Sequence, residues 1–582
     1  MKKFITGILA SLLFVGVALP STAQDTDQPI IKSSGMHNPE LGLNGMVVSQ
    51  EYNASEAGLL MLKNGGNAVD AAVATAFSLA VTYPQAGNIG GGGFMMIYLK
   101  EEDRVLALDY REMAPALAHR DMFLDENGNV DDDKARWSAQ ASGVPGSVAG
   151  LLYAQEKYGL LTREEVMAPA IKLADEGFNL SWSQARSLQS RETRLKKSAG
   201  SAKYFYKADG SVYLAGERLV QKDLARTLKA ISENGRDGFY KGKVADKIVA
   251  EMEEIGGLIS HKDLENYTVV ERDVFSGNYR GYEVFSMPPP SSGGVHVVQM
   301  LNILEGYDLK AMGHNSAQYI HTLTETMKHV YADRSKYLGD PDYFDVPVSA
   351  LIDENYAAYI RSRINNDRAT PSTEISPAPA LPYESNETTH LSTADSMGNV
   401  VSSTTTLNFS YGNGYSVMGA GFLLNNEMDD FSAKPGSPNG FGLLGGVANQ
   451  IEAGKRPLSS MTPTLVFKGG APYIVTGSPG GSRIITTVLQ NVLNMIDFDM
   501  NALEANVAPR MHHQWYPDQI RIENGISKDT VDKLVQMGHT IPLRKGMSAN
   551  DEIGSVMTIM IKDGILQGAA DPRIGNAHAT GY

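Results

Sequence analysis

Between Asn365 and Glu387 the chain carries Pro371, Pro377, Pro379 and Pro382 in an otherwise polar stretch. Proline fixes φ and removes a backbone donor, so this segment is expected to hold neither a helix nor a central strand. By composition it reads as a surface loop or a linker. Directly after it, Thr388 to Asp395 and Asn399 to Asn408 form Thr-, Ser- and Val-rich runs around Ser396-Met397-Gly398, a loop length compatible with a β-hairpin. If Asp395 faces Asn399, Thr388 lies opposite Thr406 in cross-strand contact range, and Asn408, two residues on, shares the face of Thr406. Any one of these threonines could be an ordinary β-former. A threonine becomes a nucleophile only beside a base, and a chain-terminal threonine brings one in its α-amine, whose pKa is about 7.7 to 8.0. An internal threonine has no such amine. Thr388 therefore has chemistry to offer only if the chain is cut in front of it.

The rest of the sequence sets bounds on that idea. With 582 residues and 42% hydrophobic composition the chain can bury a substantial core. Its 51 Lys plus Arg against 66 Asp plus Glu leave a net charge of -15, so it lacks the basic footprint of a nucleic-acid binder. Cysteine is absent, which removes disulfides, thiolate metal sites and a cysteine nucleophile. Residues 1–23 have Lys2 and Lys3, an apolar run from Ile8 to Leu19 and then Ser21-Thr22-Ala23, the layout of a cleavable secretory signal. A mature chain from Gln24, periplasmic or secreted and without a stable membrane span, is the expectation. The other long apolar stretch, Ala68 to Val81, contains Asp70, Thr75 and Ser78 and is too short to span a bilayer. It reads as a buried helix capped by Asn67 with Asp70 at the third position. Two β-rich runs, Phe94 to Leu99 and Val105 to Tyr110, form a hairpin ending at Arg111. From Leu151 to about Leu264 the pattern is mostly helical, and no period suggests internal repeats.

Several longer segments, taken together, resemble the γ-glutamyltransferase (γ-glutamyl transpeptidase) family. They are Asn386-Glu387-Thr388-Thr389-His390, Asn425 to Ser432 (NNEMDDFS), Arg456 to Met461 (RPLSSM) and Ser478 to Arg483 (SPGGSR). Asp109 to Pro115, the Gly90 to Gly93 run and Pro288 to Gly294 match further signatures, and the resemblance covers essentially the whole mature chain. It implies an α/β (α+β) protein, a four-layer αββα sandwich of the N-terminal nucleophile hydrolase type, built jointly by two chains cut from one inactive precursor. Thr388 is then the nucleophile. The large subunit is 24–387, ending in the linker 365–387, and the small catalytic subunit is 388–582. In the precursor the Thr388 hydroxyl would attack the Glu387 carbonyl and the ester would hydrolyse to free the amine. Glu387 stands where the family often has another polar residue.

The implied substrates are glutathione and other γ-glutamyl amides, with water or an amino acid or peptide as acceptor and no cofactor or metal. A γ-glutamyl donor presents an α-carboxylate and an α-ammonium away from the scissile amide. Arg111 can hold the carboxylate bidentately with the Ser459 and Ser460 hydroxyls as further donors, while Glu427, Asp430 and the Asn408 amide would hold the ammonium. Read locally, Arg111 beside Glu112 is a surface ion pair and the Glu427 to Asp430 segment a solvated acidic turn; the resemblance gives them to the donor. Ile474 to Gly477 reads as a strand leading through Ser478-Pro479-Gly480-Gly481 into a helix, which places backbone N–H groups at a helix N-terminus. Locally this is a tight turn; the resemblance assigns Gly480 and Gly481 to the oxyanion hole. In the lid segment Pro435 to Gly442 the family often has a tyrosine, whereas here the aromatic is Phe441, which can shield the pocket but cannot donate a hydrogen bond.

Serine α/β-hydrolase, zincin and P-loop signatures do not occur. His512-His513 lacks an accompanying carboxylate motif for metal, and Gly90 to Gly93 suits close backbone packing better than phosphate. Two alternatives to γ-glutamyl transfer remain: a cephalosporin (glutaryl) acylase on the same fold, and a non-enzymatic periplasmic binding protein, which predicts an uncut chain.

Overall fold

The computed structural model describes residues 37–375, 388–542 and 552–582. The expected signal 1–23, Glu387 and residues 376–386 of the linker lie outside that range. Two seven-stranded antiparallel sheets make up the centre. The first runs, edge to edge, His578–Gly581, Gly45–Ser49, Thr389–Asp395, Val400–Thr406, Gly92–Leu99, Arg104–Tyr110 and Val270–Arg272. The second runs Glu40–Gly42, Ile565–Ala570, Met557–Lys562, Ala471–Thr476, Thr464–Lys468, Tyr282–Ser286 and Phe275–Tyr279. Helices Tyr52–Lys63, Ala68–Thr82 and Ser147–Tyr158 cover the first sheet. Gly293–Leu304 and Ala502–Val507 lie on the second, with Ile484–Ile496 packed against both. This is the four-layer αββα sandwich that the resemblance implies.

The layers follow from the side chains each element must hide. Helix Ala68–Thr82 is apolar nearly all round and every residue of it is buried, each larger apolar side chain contributing about 1.5–3 kcal/mol. The Asn67–Asp70 capping box forms as expected, and the Asp395 carboxylate accepts the Ala68 N–H at 2.8 Å. The helix start is thus tied to the turn of the Thr389–Asp395 hairpin. Between the sheets the contact is partly polar. Ser402 Oγ donates to Thr476 O at 2.9 Å and Ser392 Oγ to Met557 O at 3.0 Å, so strand hydroxyls satisfy carbonyls of the facing sheet. The Leu151 to Leu264 region is helical as read, with one two-stranded pair, Phe178–Asn179 and Arg218–Leu219, inserted.

The proline-rich stretch departs from its expectation. Ser372–Ile375 forms one helical turn immediately after Pro371. Ser372 is fully buried, its hydroxyl donating to Trp515 O at 2.7 Å while Trp515 Nε1 donates to Ser372 O at 3.0 Å. Tertiary hydrogen bonds hold this turn where local propensity alone would not. No described helix is long and apolar enough to cross a membrane.

Candidate active site

The hairpin register is the expected one. Thr389 pairs with Thr405 and each following pair keeps that alignment to Ala394 and Val400, so extending it by one residue sets Thr388 across from Thr406. Thr406 in turn pairs with Gly92, and Gly93 with Tyr110. Thr388, Thr406, Gly92 and Arg111 therefore form a row across four neighbouring chain segments at one end of the sheet, Thr388 and Arg111 about 14 Å apart at a strand spacing of roughly 4.7–4.9 Å. The glycine run makes this row possible. A Cβ on Gly91 would lie 2.0 Å from Thr406 O, and one on Gly93 2.5 Å from Thr404 O. Close backbone packing is its role here, as read.

A narrow cleft of about 250 Å³ opens on that row. It is lined by Thr388, Thr406, Asn408, Arg111, Glu427, Asp430, Ser459, Ser460, Phe441 and Gly481, with Met461 and Ile484. Sequence reading thus named most of the wall. Gly480 adjoins it without lining it. One reason given for Asn408 is corrected: the strand ends at Thr406, and Asn408 stands at φ 73°, so strand alternation does not set its direction. Instead Thr406 Oγ1 accepts the Asn408 N–H at 2.8 Å and the Asn408 amide donates to Asn426 O at 2.9 Å. The local reading of Arg111 and of the Glu427 to Asp430 turn as surface features is also overturned. Arg111 and Glu427 are buried.

Arg111 follows strand Arg104–Tyr110, and its backbone is fixed on three sides. Its N–H donates to the Asp109 carboxylate at 3.0 Å, and its carbonyl accepts from Tyr267 Oη at 2.8 Å and Arg456 at 2.9 Å. The guanidinium donates to Pro457 O at 3.2 Å, to Glu427 and, at 2.5 Å, to Asp430. Glu112 lies 3.6 Å away. One cation thus sits among three carboxylates. Burial raises the Glu427 and Asp430 pKa values against the pull of Arg111, and raises that of Glu112 to about 7. For Arg111 burial acts downward, and the Glu427, Asp430 and Glu112 charges outweigh it. The Glu427–Asp430 turn is held by its two preceding asparagines: Asn425 donates to Gly90 O and Gly143 O, both at 2.8 Å, and Asn426 Oδ1 accepts the Phe409 N–H.

Opposite lies the segment after strand Ala471–Thr476. Gly480 has φ 136° and Gly481 φ 55°, both costly for a residue with a Cβ. A 3₁₀ turn, Gly481–Arg483, precedes helix Ile484–Ile496, so the glycines sit at the start of a helical run whose first N–H groups have no intrahelical acceptor. The Phe441 ring is packed directly on Gly481 and edge-on to Phe409, with ring centres 5.1 Å apart. Its carbonyl accepts from Gln514 at 3.1 Å. His390, on strand Thr389–Asp395, is buried beside Gly477; its Nδ1 meets Thr404 Oγ1 at 2.8 Å, and burial pushes its pKa down to about 3.

Arg334, on helix Ala317–Tyr337, escaped the sequence reading because no local pattern distinguishes it. It is buried and donates to Ser292 Oγ at 3.0 Å and Ser460 Oγ at 3.2 Å, and burial lowers its pKa to about 10. Ser459 is held by the 288–294 signature: its carbonyl accepts from the Ser292 N–H and hydroxyl at 2.8 and 2.7 Å. Away from this cleft, His321, Glu325 and His539 bring ligand-type atoms within 4.8 Å of one another. His321 Nδ1 and His539 Nε2 are in direct hydrogen-bond contact at 2.7 Å, and the Lys328 ammonium is 3.1 Å from Glu325. That cation disfavours a metal ion there. His512 is engaged by Thr486 and Gln514, and His513 by Asp518.

The family model described as gamma-glutamyltranspeptidase matches residues 54–581. The glutathione hydrolase proenzyme of Escherichia coli (strain K12) is 48% identical over 100% of this chain and 99% of its own length. The Helicobacter pylori gamma-glutamyltranspeptidase structure is 46% identical, with a TM-score of 0.56, covering 59% of this chain and 97% of its own. A cephalosporin acylase from Bacillus halodurans has a TM-score of 0.83 at 27% identity, covering 98% of this chain and 99% of its own. The two-sheet sandwich, the threonine at its central hairpin and a match running through nearly the whole sequence agree: the chain belongs to the gamma-glutamyltranspeptidase family.

Proposed function

We propose that the protein is a γ-glutamyl transferase and glutathione hydrolase whose nucleophile is Thr388, freed by cleavage of the Glu387–Thr388 bond. The large subunit would then be 24–387 and the small subunit 388–582, the two remaining together as a heterodimer exported from the cytoplasm. With its amine exposed, Thr388 takes its own base. The Thr388 oxygen attacks the γ-carbonyl carbon and the hydroxyl proton passes through the amine to the departing nitrogen. An ester remains, and water or an acceptor amine opens it. Thr406 orients the hydroxyl, and Gly480 and Gly481 supply N–H groups for the oxyanion.

The observation that carries this reading is the pairing of Arg111 with Glu427 and Asp430 on the wall of the cleft that holds Thr388. A simple anion entering here takes Arg111 and strands a carboxylate, and a simple cation does the converse; either leaves a partly buried charge unpaired. A zwitterion can insert and pair both. Its carboxylate takes the Arg111 fork with Ser459 and Ser460, and its ammonium takes Asp430, Glu427 and Asn408. This favours a γ-glutamyl head over the glutaryl group of an acylase, which carries no ammonium. Phe441 shields the pocket by packing. Two bands on a denaturing gel, the smaller beginning at Thr388, together with turnover of γ-glutamyl anilides, are the expected results. A Thr388→Ala protein stays a single inactive chain. A small chain with any other first residue, or a Thr388→Ala protein that is still cut and active, overturns the assignment.

A further inference from the structure

The tip of the lid lies against the cleft although its aromatic residue, Phe441, has no hydroxyl to fasten it there. The tip is a tight loop with its own bonds. Gly436 N–H donates to Gly445 O at 3.0 Å and Asn439 N–H to Leu443 O at 3.1 Å, while Asn439 Oδ1 accepts the Phe441 and Leu443 N–H groups at 2.9 and 3.1 Å. A loop bonded in this way can shift as one piece. Beside Ser437, Pro438 and Asn439 a void of about 270 Å³ extends to Val130 and Ala135, so this side of the loop is loosely packed.

Two consecutive carboxylates tie the loop down. Asp430, which holds Arg111, accepts from the Asn439 amide at 3.2 Å. Asp429, which has no part in reading the donor, accepts the Gly440 N–H at 3.0 Å through Oδ2 and 3.3 Å through Oδ1. Asp429 is buried, and Arg136 Nε donates to its Oδ1 at 3.3 Å. Arg136 stands on helix Asp132–Trp137, where it also pairs with Asp132 at 2.8 Å, and its carbonyl accepts from the Asn426 amide at 3.0 Å. A buried carboxylate is tolerated only when it is paired and hydrogen-bonded, and the lid amide and Arg136 are what Asp429 has. Gly440 fits this place closely: a Cβ there would lie 2.2 Å from Phe409 Cζ and 2.7 Å from Asp429 Oδ2.

We propose that Asp429 is a positioning residue that latches the lid over a bound donor, tying Gly440 of one subunit to Arg136 of the other. The proposal rests on the γ-glutamyl transfer reading given above. In that reading the donor ammonium takes Asp430, which draws this carboxylate away from Asn439. Asp429 and Gly440 do not line the cleft, so their bond survives donor entry and keeps Phe441 on Gly481. Without the latch the lid is closed for a smaller fraction of the time, and the apparent affinity for the donor falls by that fraction.

The test compares mature wild type with Asp429→Ala and Asp429→Asn. Losing one hydrogen bond of ordinary net strength corresponds to about five- to tenfold, so Asp429→Ala should raise the KM for γ-glutamyl-4-nitroanilide by about that factor, with kcat changed less than about threefold. Amide hydrogen exchange over residues 439–443, measured without donor, should quicken by a similar factor while helix Ala68–Thr82 exchanges as in wild type. Asp429→Asn keeps an oxygen for the Gly440 N–H and should recover most of both losses. A KM within about twofold of wild type in Asp429→Ala, unchanged exchange in the lid, exchange that quickens equally in lid and helix, or no recovery in Asp429→Asn overturns the proposal. If Asp429→Ala remains uncut, exchange is compared between Thr388→Ala and Thr388→Ala/Asp429→Ala, both single chains, and equal protection of 439–443 overturns it. The two readings fail separately: wild type that turns over no γ-glutamyl anilide refutes γ-glutamyl transfer, whereas the exchange result needs no donor.

Discussion

The contact between Gly481 and Phe441 can be broken in a way that separates steric from backbone effects. A Cβ built on Gly481 lies 2.4 and 2.5 Å from Cδ1 and Cε1 of the Phe441 ring, whereas carbon atoms in ordinary contact stand about 3.5–4.0 Å apart. In Gly481→Ala the ring must therefore move by about an ångström, and Phe409 closes one side. Overpacking of this kind costs about 1–3 kcal/mol. Gly481 also has φ 55°, where a residue with a Cβ is strained by roughly 1–2 kcal/mol. The single variant should then lose about 2–5 kcal/mol of stability. Phe441→Ala removes a ring that is 5% exposed and should by itself cost about 3–5 kcal/mol. In the double variant the alanine methyl meets no ring, so the steric part disappears and the backbone part stays. The two effects should fall short of additivity by about 1–3 kcal/mol, read as a double-mutant cycle in urea unfolding at neutral pH. Additivity to within about 0.5 kcal/mol would show that the ring does not rest on Gly481.

Asp430→Asn should lower the ratio of γ-glutamyl to glutaryl amide turnover by about tenfold or more, because the ammonium loses its charged partner; an unchanged ratio removes Asp430 from that role. Thr406→Val leaves the Asn408 N–H without the acceptor it has at 2.8 Å, at a cost of about 1–3 kcal/mol, or roughly five- to 150-fold in rate if the loss falls on the transition state. Thr406→Ser restores the hydroxyl and should recover most of that activity; a Thr406→Val protein that matures and turns over normally refutes the role. His390 is buried with its pKa depressed to about 3, so on acidification the unfolded chain binds a proton at this position first, and the stability it contributes is fully present above about pH 6.5 and lost toward pH 3. Wild type and His390→Gln should converge in stability by about 2 kcal/mol between pH 6.5 and 5, measured as paired unfolding midpoints; parallel curves would mean that the imidazole is not held neutral.

What the sequence made legible was whatever depends on period and register. Alternation and loop length were enough to pair Thr389 with Thr405 and, one step further, to set Thr388 against Thr406. The Asn67–Asp70 box and the buried helix after it followed from local chemistry. Local chemistry also misled. Arg111 beside Glu112 looks like a surface pair because nothing within a few residues shows that Asp109, Tyr267 and Arg456 enclose its backbone. Only the family resemblance moved it inside. The helical turn at Ser372 was missed for a similar reason: Trp515 and Asp518, far away in sequence, supply its hydrogen bonds. Asn408 was placed correctly for an incorrect reason, since a left-handed residue after the strand, not strand alternation, turns it toward the cleft.

Arg334 shows how such distant contacts shape recognition. Its guanidinium donates to Ser460 Oγ, and the Met461 N–H donates to Ser459 Oγ at 3.1 Å. A hydroxyl oxygen that already accepts a hydrogen bond still has its proton to give. Both serines line the cleft, so these two donors leave the serine protons available to a carboxylate lying there. In the proposed donor mode the glutamyl α-carboxylate then meets the Arg111 fork and two hydroxyls set as donors, while the acids displaced from Arg111 turn to the ammonium. Selection for an amino-acid head would thus rest on Arg334 and the Met461 N–H as well as on the residues that touch it, and Arg334 belongs to no pattern visible along the chain.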